Sequence, residues 1–248
     1  ESDTISAISQ QIVLHDRLQG GVDLIGRVVA ENTAQLELRH CIVIGDAGSG
    51  KTTLLEILKS QHPQEEVGFH LGVRKNIPLL ALSLPSHITP RSLAQQALRA
   101  VGVTSGLNGT CFELTERLCF YIKQCNVKVV LLDELHHLLG LGRGTSKGAN
   151  ARLLTARNWI KSVINDTRAT FVLMGMPEAF ELVEDGDQLA RRFTHLYCLE
   201  AFGVPTAENT DLVDFVRELV SDLVQLPYFD NVEIPESHSD DAKRLFAA

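Results

Sequence analysis

The chain has 248 residues, with 23 Lys and Arg against 31 Asp and Glu, so its formal net charge is −8 when histidines are neutral. Hydrophobic residues make up 44% of the sequence and charged residues 22%. This is the composition of a globular protein, and it excludes a disordered tail protein, a collagen-like repeat and a membrane span. A strongly basic chain would indicate nucleic-acid binding through its overall field, whereas an acidic one needs a local patch of cations.

The cysteines and the first residues indicate a cellular compartment. The five cysteines are an odd number without C-x-x-C spacing, which favours free thiols in a reducing compartment over a disulfide framework. The first residues show no basic stretch followed by an apolar stretch, so a signal peptide is not expected. We therefore expect a cytoplasmic protein with no membrane segment.

Short apolar runs alternate with longer helical patterns, which predicts βαβ units on a parallel sheet. Five runs are predicted strands because Val, Ile and Leu follow one another without polar alternation, as in strands that helices cover on both faces. These runs are residues 41–44, 78–84, 128–132, 170–174 and 195–199. The sequence thus predicts an α/β fold around a buried five-stranded parallel sheet.

Local signals predict where several helices and loops lie. Thr89 followed by Pro90 predicts an N-cap and a first helical residue. Residues 149–165 carry apolar side chains at helical spacing, residues 140–148 are rich in glycine and predict a mobile loop, and residues 208–225 predict a long helix before a short helical tail. The predicted organisation is a helical lead-in (1–36), an α/β core (37–203) and a further helical segment (204–248).

The segment GDAGSGKT, residues 45–52, fits the phosphate-binding pattern G-x-x-x-x-G-K-[ST] at every fixed position. It follows a predicted strand and opens a helix, which is the context that the motif requires. Glycines let the backbone turn its N–H groups onto a phosphate, and the helix N-terminus adds its positive end. We expect Lys51 to reach the β- and γ-phosphates of a nucleotide and the Thr52 hydroxyl to bind Mg²⁺. The predicted nucleotide-binding residues are Gly45, Asp46, Ala47, Gly48, Ser49, Gly50, Lys51, Thr52 and Thr53.

Two acids, Asp133 and Glu134, follow the third apolar run. A buried strand delivers its last side chains to the carboxyl edge of the sheet, where ligands bind in open α/β folds. We expect Asp133 to hold Mg²⁺, directly or through water, and Glu134 to activate the attacking water as general base. The absence of an Asn-Lys-x-Asp guanine-recognition motif favours ATP over GTP. His136 and His137 are expected to form a polar face rather than a metal site, because adjacent helical residues point about 100° apart.

Arg191 and Arg192 precede the fifth predicted strand. An oligomeric ATPase completes its site with a cation from the next subunit, because charge on the transferring phosphoryl group needs a further donor. Arg192 is our first choice for such a finger in trans, and Arg191 is the alternative. An ordinary helix C-terminus, where cations favour the macrodipole, explains the same pair equally well.

These motifs together resemble the AAA+ transposition regulators of the TniB/TnsC type, most closely those of Tn-seven-like and CRISPR-associated transposons. The phosphate loop and the acid pair are generic to AAA+ proteins. More particular are NWIKSVIN at residues 158–165, VLMGMP at residues 172–177 and QLARRF at residues 188–193. The resemblance implies a P-loop AAA+ core, a five-stranded parallel sheet flanked by helices, followed by the beginning of a small α-helical lid.

The resemblance also implies a function: a cytoplasmic, DNA-associated prokaryotic ATPase that uses ATP and Mg²⁺. Such a protein assembles as a hexameric or heptameric ring or filament on double-stranded target DNA, links a target-selection protein of the TniQ/TnsD type to the transposase, and is remodelled by hydrolysis. The family's DNA contacts fall here on Arg91 and Thr104, at the start and the end of one helix. The position that many AAA+ proteins fill with a polar sensor reads Gly175-Met176, which implies slow, regulatory hydrolysis.

Two other interpretations share the generic motifs. A replication initiator or helicase loader would be favoured by a winged-helix domain after the lid. An oligomeric signalling ATPase that does not bind DNA would be favoured by a fused effector or repeat domain. The block at residues 158–177 favours the transposition regulator.

Overall fold

The structure is a computed structural model that describes residues 14–34, 37–69, 72–85, 89–139, 147–184, 189–203 and 210–224. The chain divides into two compact units, one of residues 20–200 and one that joins the described parts of residues 1–19 and 201–248. The predicted tail helix and residues 140–146 of the predicted loop lie outside the described residues. No helix in the described ranges is long and apolar enough to cross a membrane.

The helices and strands alternate along the larger unit. In chain order the elements are α1 (Asp16–Ala34), β1 (His40–Ile44), α2 (Lys51–Gln61), β2 (Glu65–Phe69), β3 (Gly72–Asn76), β4 (Leu79–Ser83), α3 (Pro90–Ala100), α4 (Cys111–Gln124), β5 (Val129–Asp133), α5 (His136–Leu139), α6 (Lys147–Asp166), β6 (Thr170–Gly175), a 3₁₀ turn (Pro177–Phe180), α7 (Glu181–Glu184), β7 (Phe193–Cys198) and α8 (Asp211–Val224). The five predicted strands are β1, β4, β5, β6 and β7. Helix α6 begins two residues before the predicted start at residue 149 and so includes the end of the predicted loop.

One five-stranded sheet, in the order β4-β5-β6-β1-β7, forms the centre of the larger unit, and all its pairings are parallel. The first strand therefore lies between two later ones, and its carboxyl end meets theirs at one edge, where Ile44 pairs with Gly175 and Cys198. This edge is the crevice in which open α/β sheets bind their ligands. The predicted fold class, a five-stranded parallel sheet flanked by helices, is confirmed.

Strand burial follows position in the sheet. Strands β5 and β6 are buried along their whole length, as their continuous apolar sequences predict. In strand β7 only Phe193 is buried; the following residues alternate between exposed and half-buried, and Leu196 is 46% exposed. The expectation that every strand is covered on both faces is therefore wrong for β7, because this strand forms an edge of the sheet. Tyr197 of β7 lies against α1, where a Cβ on Gly20 would come within 2.6 Å of its hydroxyl oxygen.

The hairpin of β2 and β3 forms a separate two-stranded antiparallel sheet. Sequence analysis did not predict it. Its first strand begins with two acids, Glu65 and Glu66, and lacks the apolar run or clean alternation by which strands are recognised.

The run NWIKSVIN lies in α6 and packs that helix into the core. Ala156, Ile160, Val163 and Ile164 are at most 3% exposed. Trp159 is also buried, and its indole N–H donates a hydrogen bond of 3.0 Å to Thr115 of α4, whose hydroxyl donates in turn to the Cys111 carbonyl. The buried indole N–H is thus hydrogen-bonded, and this bond joins α6 to α4.

In the smaller unit, Arg17 joins the start of α1 to Ala201 and to the first residue of α8. Its guanidinium donates to the Ala201 carbonyl at 2.6 Å and to the carboxylate of Asp211. It also lies 5.1 Å from the centre of the Phe202 ring, which stacks on Phe215. Within the described residues, the predicted helix at residues 208–225 is present as α8 (Asp211–Val224).

A buried histidine opens β1. The Nδ1 atom of His40 accepts a hydrogen bond of 3.1 Å from the Phe171 N–H, and the imidazole packs against the Phe171 and Phe193 rings. Burial, and to a lesser extent the charge of Arg192, lowers the pKa of His40 from 6.5 to about 3. The folded protein therefore holds this ring neutral where the unfolded chain already binds a proton.

Acid should destabilise the fold through His40. Below about pH 6.5 the unfolded chain binds a proton at His40 that the folded protein does not bind. The free energy of unfolding therefore falls as the pH drops from about 6.5 towards the folded pKa. Between pH 7 and pH 5.5 we expect the free energy of unfolding, from urea titrations, to fall by about 1 kcal/mol more in the wild-type protein than in His40→Asn, which cannot titrate. Equal pH dependence in the two proteins would contradict this account.

Candidate nucleotide-binding site

The phosphate loop is the turn between β1 and α2, residues 45–50. Gly48 and Gly50 have φ angles of 80° and 98°, a left-handed conformation that glycine adopts without a steric penalty. Gly50 is the N-cap of α2, and no side chain caps that end of the helix. The N–H groups of the first helical turn are thus available to an anion, and the helix dipole favours its charge.

Where β1 meets the loop, the backbone is hydrogen-bonded to residues at the ends of β6 and β7, the strands on either side of β1. The Gly45 N–H donates to the Gly175 carbonyl at 3.2 Å, and the Leu199 N–H donates to the Ile44 carbonyl at 2.7 Å. A Cβ on Gly45 would lie 2.4 Å from the Leu199 carbonyl oxygen and 2.4 Å from the Ser49 Oγ. Only glycine fits here without movement of the backbone.

Lys51 points into the loop. Its side chain is 7% exposed, and its Nζ donates hydrogen bonds of 2.7 Å to the carbonyls of Gly45 and Asp46. The Ser49 hydroxyl is buried and has no hydrogen-bond partner among the described residues, whereas Thr52 is exposed. A buried ammonium, free helix N–H groups and an unpaired hydroxyl in one loop fit the triphosphate of a nucleotide, and Thr52 is accessible to its Mg²⁺.

The two acids lie at the same edge of the sheet. Asp133 is the last residue of β5 and is 2% exposed, and its Oδ1 accepts a hydrogen bond of 2.8 Å from the Glu134 N–H. Burial raises the pKa of the Asp133 carboxyl above its usual range, while that hydrogen bond and the charge of Lys51 oppose the shift. The charge of Lys51 thus favours the ionised form of a buried carboxyl beside the loop.

Glu134 has a strained backbone. Its φ angle of 59° is left-handed. This conformation costs a residue other than glycine about 1–3 kcal/mol and persists only where the surrounding structure imposes it. The next residue, Leu135, is completely buried and donates its N–H to the Met174 carbonyl at 3.0 Å. We attribute the turn at Glu134 to this anchoring. The Glu134 side chain itself remains 36% exposed at the edge of the site.

The structure corrects the expectation that the two histidines point apart. The His136 Nε2 lies 3.1 Å and the His137 Nε2 4.0 Å from the same carboxylate oxygen of Glu134, and the two ring centres are 4.2 Å apart. The expectation assumed a regular helix, but α5 begins only at His136 and follows the left-handed turn. The three-residue spacing from Glu134 to His137 is the signal that could have predicted a contact.

The His136 imidazole is half-buried beside Glu134, and its pKa is lowered. Burial is the main cause that lowers the pKa of its imidazole, and the proximity of His137 lowers it further, against the opposing charges of Glu134 and Glu178. Its Nδ1 is buried without a hydrogen-bond partner among the described residues. Because an unpaired buried N–H is costly, we place the hydrogen on Nε2, which then donates to the Glu134 carboxylate.

Arg191 and Arg192 lie at the end of the sheet where β1 begins, opposite the end that carries the phosphate loop. The Arg192 carbonyl accepts from the His40 N–H at the start of β1, whereas the phosphate loop follows the end of that strand. A strand of this length spans about 16 Å. The Arg192 guanidinium donates to the Asn165 side chain at 2.6 Å, and Arg191 is exposed. The structure therefore does not bring either arginine to the phosphate loop of its own chain.

Arg91 lies in the first turn of α3, and Thr104 lies four residues beyond its last residue, Ala100. The helix begins at a capping box in which Thr89 and Ser92 exchange hydrogen bonds, so the predicted N-cap is confirmed. Arg91 is exposed, and its Nε donates to the Gly109 carbonyl at 2.9 Å. Sequence analysis did not single out Arg99, a further exposed cation at the end of the same helix.

Replacement of Gly45 should damage the phosphate loop. In Gly45→Ala, the contacts at 2.4 Å must be relieved by movement of the loop, and we expect affinity for a fluorescent ATP analogue to fall by at least about tenfold (about 1.4 kcal/mol). The matched control is Gly26→Ala in α1, where nothing lies within 4 Å of the added carbon. Wild-type affinity in a folded Gly45→Ala protein would contradict the prediction.

Comparisons with known proteins agree with this fold. Solved structures similar to the chain are Aeropyrum pernix ORC1 in complex with DNA (18% identity, TM-score 0.51, 85% of this chain and 50% of that one) and Cdc6p from Pyrobaculum aerophilum (12% identity, TM-score 0.55, 87% and 53%). A third is A. pernix ORC2 in ADPNP-ADP complexes (16% identity, TM-score 0.54, 86% and 54%). At these identities the likeness shows the fold alone, and the chain spans about half the length of these structures.

A search of curated proteins found no significant match. A family model described as "Bacterial TniB protein" matches residues 8–201, which include the phosphate loop, the acid pair and both finger candidates. The chain belongs to the TniB family and has the fold of an AAA+ P-loop ATPase.

Proposed function

We propose that the protein is an ATP-dependent regulator of DNA transposition. It oligomerises as a ring or filament on double-stranded target DNA, links a target-selection protein of the TniQ/TnsD type to the transposase, and is remodelled as ATP is hydrolysed. It acts on DNA in the prokaryotic cytoplasm. The observation that carries this proposal is the TniB match over the residues that form the phosphate loop and the acid pair. Residues 1–36 are a helical lead-in to the nucleotide-binding core of residues 37–203, and residues 204–248 begin the lid.

The loop binds ATP, which with its Mg²⁺ supplies the phosphoryl group and a charge that stabilises its transfer. The Lys51 Nζ exchanges the carbonyls of Gly45 and Asp46 for phosphate oxygens. The N–H groups at the start of α2 bind the same phosphates. The Thr52 hydroxyl and the Asp133 carboxylate hold the Mg²⁺.

Glu134 accepts the proton of the attacking water. Its exposed carboxylate is within hydrogen-bond distance of the His136 Nε2, which orients it at the edge of the site. Met176 follows β6, at the position where many AAA+ proteins have a polar sensor, and a thioether has no N–H or O–H to donate. These residues support slow hydrolysis that times the life of an oligomer.

Arg192 completes the site of the next subunit, with Arg191 as the alternative. Its distance from the phosphate loop of its own chain supports action in trans, because a finger must leave its own subunit to reach a neighbour's nucleotide. The hydrogen bond to Asn165 holds the guanidinium at that edge. A planar fork suits the charge that develops on the transferring phosphoryl group.

Helix α3 supplies the DNA surface. It carries the exposed cations Arg91 and Arg99 and contains no acidic residue. The bond to Gly109 uses one of the five N–H donors of Arg91 and orients the others. Thr104 adds a neutral donor beyond the end of the helix. Contacts of this kind bind phosphates without reading sequence, and a filament repeats them along the duplex, so the acidic net charge is no obstacle.

Glu134→Gln should uncouple binding from hydrolysis. The amide cannot accept a proton, while Lys51, Thr52 and Asp133 are unchanged, so we expect steady-state phosphate release to fall by about 100-fold or more at unaltered ATP affinity. DNA-bound oligomers should last correspondingly longer. Glu116→Gln, at an exposed acid of α4, is the control. Unchanged turnover in Glu134→Gln would refute the assignment of the base.

Charge reversal on α3 should weaken DNA binding. With a non-hydrolysable ATP analogue present, we expect Arg91→Glu to bind duplex DNA at least about tenfold more weakly in fluorescence anisotropy, with a smaller salt dependence and unaltered nucleotide affinity. Arg27→Glu makes the same change at an exposed site on α1 and should bind as wild type. Negative-stain microscopy of the same samples tests the assembly itself. Equal binding and equal filaments in both variants would place the DNA surface elsewhere.

A further inference from the structure

Three side chains with metal-binding atoms converge at the outer edge of the nucleotide site. One ligand atom each from Glu134, His136 and His137, together called the Glu-His-His cluster, lies within 4.8 Å of the other two. Within the part of the chain that the structure describes, no other three His, Cys, Asp or Glu residues meet in this way. The phosphate loop and the proposed function use only the carboxylate and its contact with His136.

The spacing of the cluster suits a small transition-metal ion. Zinc binds imidazole nitrogen and carboxylate oxygen at about 2.0–2.2 Å, which places tetrahedral ligands about 3.4 Å from one another. The Glu134 Oε2 lies 3.1 Å from the His136 Nε2 and 4.0 Å from the His137 Nε2, on either side of that separation. Both measured separations are thus within about 0.6 Å of what a tetrahedral set needs.

The cluster is also accessible from solution. The side chains of His137 and Glu134 are 32% and 36% exposed, so an ion can enter from solvent and keep water as its fourth ligand. Two imidazoles and one carboxylate form the three-ligand set of zinc sites that retain an open position. The same donors do not suit Mg²⁺, which prefers oxygen ligands and keeps most of its water.

We propose that the Glu-His-His cluster binds a divalent transition-metal ion, with Zn²⁺ favoured, and that the metal-bound protein cannot hydrolyse ATP. The metal site stands on geometry alone, whereas the inhibition rests on the proposed function. Binding needs the His136 hydrogen on Nδ1 instead of Nε2, so the metal bond must offset the cost of a buried Nδ1–H that has no partner among the described residues. The Glu134 carboxylate becomes a metal ligand and is no longer free to accept a proton from water. Lys51, Thr52 and Asp133 are untouched, so the metal-bound protein still binds ATP.

Metal binding by the full-length, nucleotide-free protein tests the site directly. We expect Zn²⁺, titrated against a chromophoric chelator in the presence of Mg²⁺, to bind at one site that His137→Asn weakens. Because loss of an outer-shell partner already costs about 10–100-fold in affinity, loss of a ligand should cost at least about tenfold. His195→Asn, the same change on β7, should bind Zn²⁺ as wild type. Equal affinity in the two variants would overturn the site.

The visible spectrum of the Co²⁺ complex identifies the ligands independently. The cluster predicts d–d absorption without a thiolate charge-transfer band, and His137→Asn should remove or shift it. A dominant thiolate band would assign the metal to one of the cysteines instead and overturn the proposal.

ATP turnover tests the inhibition. We expect Zn²⁺ to suppress turnover in the wild-type protein and, over the same range of concentrations, to leave His137→Asn active, since His137 has no part in the chemistry. Equal inhibition of both proteins would overturn the inhibition, whatever the binding assay shows. Absence of turnover without Zn²⁺ would instead count against the proposed function, and the binding measurements would still decide the metal site.

Discussion

The nucleotide site depends on how closely three strand ends approach one another. Strand β1 runs between β6 and β7, and the backbone leaves it at Gly45 with a carbonyl oxygen 2.4 Å from where a side chain would begin. A larger residue there would push the loop away from the carboxyl ends of the strands, where Lys51 and Asp133 lie near each other. The sheet order thus places the phosphate loop beside the acid pair, and one glycine allows the contact.

The charged groups at the carboxyl ends of the strands are held in position by hydrogen bonds within the protein itself. An ammonium and a carboxyl, both nearly buried, face the same crevice, and each would be costly to bury alone. Lys51 is paired with loop carbonyls and Asp133 with the following N–H, so both are positioned without bonding directly to each other. In such a site, ligand binding exchanges internal hydrogen bonds for stronger charge-assisted ones, and little reorganisation is required.

The sequence predicted the parts of the fold whose signals are local. Buried parallel strands appear as apolar runs, and the phosphate loop has fixed residues at fixed spacing, so β1, β5, β6 and residues 45–52 could be located in advance. The exposed face of β7 could not, because a strand's sequence does not state that it lies at an edge. The polar hairpin of β2 and β3 lacks either strand pattern.

Contacts in the candidate site that depend on distant or strained segments also could not be predicted. The pairing of Arg192 with Asn165 joins residues 27 positions apart across the end of the sheet. The approach of both histidines to Glu134 depends on a left-handed turn that the anchoring of Leu135 to β6 explains. Helical periodicity alone therefore gave the wrong answer for His136 and His137. Functional details were thus least predictable where local preference and tertiary anchoring disagree.

In the proposed oligomer, catalysis needs two subunits: one holds the nucleotide and provides the base Glu134, and its neighbour provides Arg192. Mixing two inactive variants on duplex DNA tests it most directly, because Glu134→Gln lacks the base but keeps the finger and Arg192→Ala has the reverse. Random assembly of equal amounts leaves about a quarter of the interfaces with both groups intact. The mixture is expected to recover a corresponding share of the wild-type ATP turnover. Turnover no higher than that of the separate variants, in a mixture that still assembles on DNA, would contradict it.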